Sequence, residues 1–359
     1  MLSIYFNRTY ATATHVFDLL RDNPDRRQVR ILASHVDPDS PVLARADLAF
    51  AEPDLTGEHY IEWALDFTAR HGVDIFVPRV EQAVIAAARD RFAAAGVAVL
   101  APSAQAIAHF EDKAATYHDA QARGVPVPPF HVVRTGQSLI EAYGRLRTAA
   151  DRVIMKPVSG VGAAGFRVLT DEPLLLGDVI GPLEPLVGLG PVVNALDRAH
   201  EAGTSVPPLL LMPLLPGPEV SVDALSDDGG RTVGSVARSK DGRRRMIVED
   251  ERATAIATTL IGAHRLSTLS NTQVRYWQAP GDTEPRPYLL EVNTRISGGL
   301  FQTKLAGVNL AWSAVRMALG LEPQLGVPNT GIGYTTGSSV LSSGTVSAEK
   351  ALRSEHPVP

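Results

Sequence analysis

The sequence predicts an α/β protein with more than one domain, and the first domain is expected to contain a parallel sheet. The chain has 359 residues, which exceeds the length that one hydrophobic core usually serves, and 45% of them are apolar. Segments typical of strands and of helices alternate through the N-terminal third. Because such alternation builds βαβ units, the pattern indicates parallel strands.

The N-terminal elements carry the parallel-sheet prediction. Short apolar runs predict four strands, and two longer segments have apolar residues spaced by three and four, as in amphipathic helices. The predicted strands are Leu2–Phe6, Val29–Ala33, Val73–Val77 and Val97–Leu100, and the predicted helices are His59–His71 and Glu81–Ala95.

A second unit is expected to begin near Gly124, where the proline-rich segment VPVPPF interrupts the pattern. A helix predicted over Lys113–Arg123 precedes this boundary. The predicted helices of the second unit are Ser138–Ala149 and Val193–Glu201, and its predicted strands are His131–Val133, Val153–Met155 and Phe166–Leu169. The segment 177–208 is rich in Gly, Pro and Leu, and apart from that helix it has no assignment.

A third unit follows Pro208 and is predicted to be richer in hairpins. Its predicted strands lie within Leu209–Leu215, Glu219–Leu225, Asn271–Trp277 and Tyr288–Gly299, and its predicted helices within Asp250–His264 and Asn309–Leu319. The tail after Ser342 is expected to be poorly ordered.

Composition excludes several classes of protein and of site. A net charge of −5 and a pI of about 6.1 argue against a surface built to bind nucleic acid or an anionic membrane. The absence of cysteine excludes disulfides, thiolate metal sites and cysteine nucleophiles. The sequence shows neither a secretory leader nor a long apolar run, so a cytoplasmic protein is expected.

The stretch KPVSGVGAAGF, Lys156–Phe166, contains the spacing G-x-G-x-x-G. A dinucleotide fingerprint requires a helix after the last glycine, but FRVL after Gly165 is typical of a strand. A glycine-rich hairpin can instead cover phosphates, because its backbone N–H groups can point at an anion, and Lys156 would add a positive charge. A flexible β-turn beside an edge lysine explains the loop equally well.

A second pattern predicts a metal site. Side chains alternate along strands, so Gln273 on one predicted strand and Glu291 and Asn293 on the next can face the same side. Carboxylate and amide oxygens are hard ligands of the kind that hold Mg²⁺ together with substrate phosphates. The alternative is the polar outer face of a half-buried hairpin.

The segment LLLMPLLPGPEVSVDAL offers an apolar slot for adenine. Backbone groups of Pro213 and Leu215 would read the edge of the base, and Glu219 would reach the ribose hydroxyls. The alternative is a plain interdomain connection with a surface carboxylate.

Two further groups are candidates for substrate contacts. Arg238 and Lys240 lie near a predicted strand and could hold an anionic substrate, whereas Arg243 and Arg244 are typical of a solvated hairpin tip. Asn7 and Arg8 follow the first strand, where a parallel sheet places its ligand crevice, although helix capping explains them as well. None of the ten histidines has the spacing of metal ligands.

The chain resembles the ATP-grasp superfamily over roughly Met1–Leu319. In chain order, the segments that carry the resemblance are EDKAATY around Lys113, the glycine-rich stretch after Lys156, the segment Leu209–Leu225 and the hairpin with Gln273 and Glu291. The similarity is greatest to the synthetase domains of the carbamoyl phosphate synthetase large chain, with D-alanine:D-alanine ligase and biotin carboxylase as more distant relatives. It implies an N-terminal Rossmann-like parallel-sheet domain, a small central α+β lid domain and a C-terminal antiparallel-sheet catalytic domain. The corresponding ranges are 1–110, 111–210 and 211–325, followed by a terminal strand and tail in 326–359.

The resemblance also implies roles for individual residues. The residues implied to bind ATP are Lys113, Lys156, Ser159, Gly160, Gly162, Met212, Pro213, Leu215 and Glu219. The implied metal ligands are Gln273, Glu291 and Asn293, and the implied catalytic residues are Arg295 and Lys156. One departure is Met212, which stands where the family usually has a glutamate that accepts from the adenine amino group.

The implied function is an ATP-dependent ligase that activates a small carboxylate as an acyl phosphate and passes it to an amine or a thiol. The expected cofactors are ATP and Mg²⁺, with Mn²⁺ as an alternative ion, and the products are ADP and phosphate. The expected partners are small molecules, and a homodimer stays open. An NAD(P)-dependent oxidoreductase and a nucleotide-binding regulatory module without turnover are the alternatives.

Overall fold

The computed structural model describes residues 1–160, 164–180 and 184–335, in which three sheets are formed. The first contains strands β1–β5, and its elements are β1 (Leu2–Asn7), α1 (His15–Arg21), β2 (Val29–His35), β3 (Leu48–Ala51), α2 (Gly57–His71), β4 (Ile75–Val77), α3 (Gln82–Ala87), α4 (Arg89–Ala94), β5 (Ala98–Val99) and α5 (Ala104–Glu111). The strand order is β3-β2-β1-β4-β5 and each neighbouring pair is parallel, which confirms the prediction.

Several elements of this region differ from the sequence prediction, and among them helices α1 and α5 were not predicted. The single helix predicted over Glu81–Ala95 is two helices, because the backbone at Ala88 (φ −91°, ψ 12°) leaves the helical region. Strand β3 was not predicted, since Leu48–Ala51 is only four residues long and partly exposed.

The second sheet is mixed and belongs to the middle of the chain. Its elements are α6 (Lys113–Ala122), β6 (His131–Val133), α7 (Gly136–Arg147), β7 (Val153–Pro157), β8 (Arg167–Thr170), α8 (Leu176–Ile180), β9 (Leu186–Gly188), α9 (Leu189–Glu201) and β10 (Leu209–Pro213). The strand order is β6-β10-β7-β8-β9, and β7 pairs with β8 in antiparallel register. The glycine-rich segment therefore connects two antiparallel strands, as the sequence predicts.

The third sheet has the order β15-β14-β11-β12-β13-β16. Its elements are β11 (Glu219–Ser226), β12 (Thr232–Asp241), β13 (Arg244–Val248), α10 (Glu251–Ala263), β14 (Thr268–Trp277), β15 (Arg286–Asn293), α11 (Leu310–Ala318) and β16 (Gly333–Tyr334). The basic segment after Ala237 forms an antiparallel hairpin between β12 and β13, in agreement with its predicted turn.

By contacts the chain divides into two compact units. We call the first the parallel-sheet unit (Met1–Ala108, Val220–Thr272 and the chain from Val292) and the second the loop unit (His109–Glu219 and Gln273–Glu291). The predicted domain boundaries stay predictions. Among the helices of the described residues, none combines the length and apolar character that crossing a membrane requires.

Each unit has cores of its own. In the parallel-sheet unit, β1 alternates its side chains, so that Ile4 packs in one apolar cluster with Trp312 and Tyr5 packs in another with Phe76. In the loop unit, one cluster joins α7 to the second sheet through buried side chains such as Leu139 and Leu211.

Candidate functional site

The glycine-rich loop has a backbone that requires glycine at two described positions. Gly160 has φ 136° and Gly165 has φ 72°, and both values lie in regions that side chains disfavour. A Cβ atom on Gly165 would also come within 2.7 Å of Cδ of Pro157. Ser159 is exposed at the start of the loop, and Gly162 lies outside the described residues.

Lys113 is attached to the start of this loop. Helix α6 begins at Lys113, and the side chain of Asp112 caps it by accepting a hydrogen bond from the N–H of Ala115. The backbone N–H of Lys113 donates to the carbonyl oxygen of Val158 at 3.2 Å, and its Nζ donates to that of Gly160 at 3.0 Å. The side chain is buried, so a positive charge is held directly beneath the loop.

Lys156 lies near the end of β7, immediately before the loop, and faces a second cation and an anion. Burial lowers the pKa of Lys156, Glu291 opposes this effect and Lys113 reinforces it, so that the pKa is about 8. Its Nζ lies 5.9 Å from the centre of the Tyr117 ring. The loop unit therefore brings both predicted phosphate-binding lysines and one predicted metal ligand into a single electrostatic cluster.

Tyr117 belongs to this cluster, although the sequence analysis missed it. It follows Lys113 by four residues on α6, so the two side chains share a helix face. The buried Tyr117 hydroxyl donates to the carbonyl oxygen of Leu290 at 2.8 Å and lies 3.6 Å from the sulfur of Met212. Burial, and then the nearby Glu291, raise the pKa of Tyr117 well above its usual value, so the hydroxyl stays a donor.

The predicted metal ligands lie on neighbouring strands of the third sheet. Gln273 is on β14 and Glu291 on β15, and both side chains are partly buried within the loop unit. Asn293 follows Glu291 by two residues on β15, so the two side chains point to the same side of that strand. An amide oxygen and a carboxylate form a hard donor set, which fits a small divalent cation.

The segment between β10 and β11, which we call the hinge, is fixed at both ends within the loop unit. The N–H of Leu214 donates to the carbonyl oxygen of Arg152 at 2.8 Å, and the N–H of Gly217 donates to that of Tyr276 at 3.1 Å. A Cβ atom on Gly217 would approach the Tyr276 oxygen to 2.4 Å, so glycine is required there.

The predicted base-binding residues lie along or beside the hinge. Met212 and Leu215 are buried. Pro213 ends β10, and Glu219 is the first residue of β11.

Arg238, a predicted substrate residue, is engaged by its own unit. Its Nε donates to the buried Asp223 carboxylate at 2.6 Å, and one terminal nitrogen donates to Gln302 at 2.8 Å. Asp223 also accepts from Asn271 and Ser297. Burial opposes the charge of Arg238, but Asp223 more than offsets this and raises its pKa. These contacts favour a structural role for Arg238.

The other candidate substrate residues also have local partners or an exposed position. The Asn7 amide is buried, donates to Tyr60 and Val80, and accepts from the N–H of Arg79. Arg8 pairs with the buried Glu52 carboxylate at 2.6 Å. Lys240 is exposed on β12. The contacts of Asn7 and Arg8 thus explain these residues without a substrate.

Arg295, the predicted catalytic arginine, lies beside an aromatic ring. The guanidinium carbon of Arg295 is 5.2 Å from the centre of the Tyr10 ring, and that of Arg79 is 4.1 Å from the same centre. The chain thus holds two arginines against one tyrosine in the parallel-sheet unit.

A family match covers the region that contains the predicted metal ligands. Residues 205–337 match the family described as "ATP-grasp in the biosynthetic pathway with Ter operon". This range includes Glu219, Gln273, Glu291 and Asn293. No curated protein matches the chain.

Solved structures similar to this chain extend over most of its length. One is the biotin carboxylase domain dimer of 2-oxoglutarate carboxylase from Hydrogenobacter thermophilus, in complex with MgADP, ADP and bicarbonate (16% identity, 90% of this chain and 70% of that chain, TM-score 0.61). A second is N5-carboxyaminoimidazole synthetase from Staphylococcus aureus (12% identity, 90% and 78%, TM-score 0.62). A third is L-amino acid ligase from Bacillus licheniformis (14% identity, 90% and 75%, TM-score 0.58).

These similarities confirm the ATP-grasp fold that the sequence predicts. A parallel sheet, a mixed sheet and a third sheet follow one another in the order expected for an ATP-grasp protein. The greater similarity to carbamoyl phosphate synthetase stays a prediction. The chain has the ATP-grasp fold, and its residues 205–337 match an ATP-grasp family.

Proposed function

We propose that this protein is an ATP-dependent ligase that activates a small carboxylate as an acyl phosphate and transfers it to an amine. The observation that carries the proposal is the cluster of Lys113, Lys156 and Glu291 beside the glycine-rich loop, within one compact unit. Two cations and one carboxylate suit a polyphosphate with its metal ion, and a glycine-rich loop beside them can point backbone N–H groups at the phosphates.

The lysines and the loop bind the phosphates in this proposal. Lys113 is positioned by the carbonyl oxygen of Gly160, and Lys156 lies in β7 immediately before the loop, so both charges can neutralise phosphate oxygens. The glycine-rich loop, which starts at Ser159 and Gly160, covers the phosphates in this proposal and excludes water from the reactive acyl phosphate. Gly162, which the sequence also implies as a contact, lies outside the described residues.

The metal is held by Gln273, Glu291 and Asn293 in this proposal, and Mg²⁺ is the ion that their oxygen ligands suit best. Bound there, it would neutralise charge that develops on the phosphates, and Mn²⁺ could replace it. Backbone groups of Pro213, the last residue of β10, and of the hinge residue Leu215 bind the base, and Glu219 binds the ribose.

The reaction that follows from these roles is a phosphoryl transfer and then an acyl transfer. A carboxylate oxygen of the substrate attacks the γ-phosphorus of ATP, the bond to the bridging oxygen breaks, and ADP leaves. The amine nitrogen then attacks the acyl carbon, loses a proton, and expels inorganic phosphate. The protein contributes positioning and electrostatics and forms no covalent bond. We assign Arg295 to the developing charge on the transferred phosphoryl group.

The similar structures support this class of reaction without identifying the substrates. The Bacillus licheniformis protein is an L-amino acid ligase, and the Hydrogenobacter thermophilus domain was solved with MgADP and bicarbonate. That domain is a dimer, so a homodimer is part of the proposal here. We also propose that a thiol can take the place of the amine as acceptor. We further propose that the protein is cytoplasmic.

The two alternatives have less support. An NAD(P)-dependent oxidoreductase would need a helix after the glycine-rich loop, but strand β8 follows it. A regulatory module that binds nucleotide without turnover is disfavoured, because both lysine positions and all three predicted metal-ligand positions carry residues competent for turnover.

The test is an ADP-release screen in which carboxylates and amines are supplied in pairs with Mg²⁺ and ATP. We expect ADP release above the ATP-only background for at least one pair, and its loss in Glu291→Ala with the fold retained. The matched control is Glu284→Ala, which removes an exposed carboxylate from the connection between β14 and β15. Full turnover in Glu291→Ala would refute the metal assignment, and a screen without any active pair would support the regulatory alternative.

A further inference from the structure

A small cleft lies at the carboxyl ends of strands β1 and β4, and all its lining residues belong to the parallel-sheet unit. Its space of about 30 Å³ has room for about two water molecules, or for one compact group such as a carboxylate. The sheet order β3-β2-β1-β4-β5 changes direction between β1 and β4, and open parallel sheets bind ligands beyond the strand ends at such a point. The cleft therefore lies where this sheet is expected to hold a ligand.

The described lining of the cleft carries two positive charges and no carboxylate. The charges are the guanidinium groups of Arg79 and Arg295, and Thr9 adds a hydroxyl. Gln82 also lines the cleft, but its amide is engaged by Thr294: Nε2 donates to the carbonyl oxygen at 2.9 Å, and Oε1 accepts from the hydroxyl at 3.3 Å. Most of the remaining lining is apolar. This composition suits a small anion and is unfavourable for a cation.

Tyr10 holds the two guanidinium groups at one place. Their central carbons lie 4.1 Å (Arg79) and 5.2 Å (Arg295) from the centre of the Tyr10 ring, within the range of cation–π attraction. Two like charges held at the same ring repel each other, which costs free energy. An anion bound in the cleft would offset that cost.

Asn7 ties the backbone of Arg79 to the first strand. The fully buried Asn7 side chain accepts from the N–H of Arg79 at 2.6 Å and donates to the carbonyl oxygen of Val80 at 2.9 Å. Asn7 is the last residue of β1, whereas Arg79 follows β4 by two residues. The backbone from which the Arg79 side chain extends is thus fixed beside the cleft.

The backbone around the cleft is strained at three residues that are not glycine. Their φ angles are positive, which side chains disfavour: Arg8 (37°), Glu81 (55°) and Thr268 (63°). Thr268 lines the cleft itself, and the other two immediately precede lining residues. Such strain is concentrated at functional sites, so it supports a ligand-binding role for this cleft.

We propose that Arg79 and Arg295 bind the carboxylate of the acid substrate in this cleft, and that the acid carries no ammonium group beside that carboxylate. The inference rests on the proposed function and specifies its acid. Arg295 is assigned there to the transferred phosphoryl group, so a carboxylate beside Arg295 can present one oxygen to that group. Guanidinium groups form strong, directional hydrogen bonds to carboxylates. An ammonium group would instead face two guanidinium groups, with no carboxylate in the described lining to offset its desolvation.

The first test compares acids that differ only in the ammonium group. In the ADP-release assay, each 2-amino acid is matched with the acid that has hydrogen in its place, such as L-alanine with propanoate and L-leucine with 4-methylpentanoate. The 2-amino derivative of any other active acid is added to the set. We expect the acid without the ammonium group to have a kcat/KM at least tenfold higher than its 2-amino partner.

The second test measures the KM values of three arginine variants with the active acid. Arg79→Met should raise the KM for the acid at least tenfold, because it removes charged hydrogen bonds, and should leave the KM for MgATP within about twofold. Arg79→Lys keeps the charge and should recover part of the loss. Arg91→Met is the matched control, since Arg91 is exposed in the same unit and pairs with Glu58. The unchanged KM for MgATP also shows that a variant is folded.

The possible failures are distinguishable. A 2-amino acid that is a better substrate than its partner would overturn the inference and leave the proposed function intact. An unchanged KM for the acid in Arg79→Met would do the same. Absence of ADP release with every acid and amine would overturn the proposed function and the inference together.

Discussion

The ammonium group of Lys113 donates a hydrogen bond to the carbonyl oxygen of Gly160 at 3.0 Å, which joins the start of helix α6 to the glycine-rich loop. Lys113→Met should weaken nucleotide binding at least tenfold, because it removes both a phosphate-binding charge and the contact that positions the loop. Calorimetric titration with MgATP measures this. Lys304→Met is the control, since Lys304 is exposed and pairs with Asp22. Unchanged affinity in Lys113→Met would contradict this assignment.

The lowered pKa of Lys156 predicts a pH dependence of nucleotide binding. Burial brings this pKa to about 8 in the free protein, and phosphate oxygens would raise it again. Binding therefore takes up a proton above that pH, and affinity should fall about tenfold between pH 7.5 and 9. Calorimetry in buffers of different ionisation enthalpy detects the uptake directly. Lys156→Arg keeps its charge throughout, so a wild-type fall that persists in this variant would contradict the prediction.

Folding stability should change over the same pH range, in the opposite direction. The folded pKa of Lys156 is about 8, and the unfolded chain has a value of about 10.4. Because the folded state disfavours the charged form, the penalty is fully present below pH 8 and is relieved as pH rises from about 8 to about 10.4. The difference in unfolding free energy between the wild-type protein and Lys156→Met should narrow over this range in denaturant titrations, and a constant difference would contradict the prediction.

The hydroxyl of Tyr117 should stabilise the loop unit through Leu290. Tyr117→Phe leaves the partly buried carbonyl oxygen of Leu290 without this donor and should lower the free energy of unfolding by about 1 kcal/mol or more. Urea unfolding measures the change. Tyr143→Phe is the matched control, because the Tyr143 hydroxyl bonds to an exposed carboxylate, Asp171, and its loss should matter less. Equal losses of unfolding free energy in the two variants would contradict the prediction, because the Tyr117 contact would then stabilise the protein no more than the exposed Tyr143 contact.

The ion pair of Asp223 with Arg238 should be essential for the stability of the parallel-sheet unit. Asp223→Asn leaves a buried arginine without its counter-charge, which costs about 3–5 kcal/mol in comparable buried pairs. Urea unfolding should therefore show a large shift of the midpoint. Arg231→Ala, which breaks the exposed pair with Asp227, should give a much smaller shift. A negligible effect of Asp223→Asn would return Arg238 to the candidates for substrate binding.

Local sequence patterns predicted many of the strands and helices. The features that they missed depend on the surrounding structure. The strand after Gly165 could be predicted, because FRVL and the following TDEP turn form a short apolar run with a clear end. The break at Ala88 could not, since its neighbours have helix-forming composition on both sides. Helix propensity is a weak signal that the surrounding structure overrides.

The candidate site residues divide in the same way, into those that nearby sequence indicates and those whose role depends on distant residues. Lys156 is a candidate because of its place before a glycine-rich loop, whereas Lys113 is a candidate only through the resemblance to the ATP-grasp superfamily. Tyr117 could not, because its role depends on Leu290, a residue far away in the sequence. For Arg238, the sequence showed a basic hairpin but not the buried Asp223 that the fold places beside it.

The effect of Mg²⁺ on nucleotide binding tests the central claim most directly, because it requires no knowledge of the carboxylate or the amine. Calorimetry would give the Kd for a purine triphosphate with Mg²⁺ and with a chelator, in the wild-type protein and in Glu291→Gln, which keeps the size of the side chain. The account predicts at least tenfold tighter binding with Mg²⁺ in the wild-type protein and little difference in Glu291→Gln. An undiminished effect of Mg²⁺ in Glu291→Gln would contradict it.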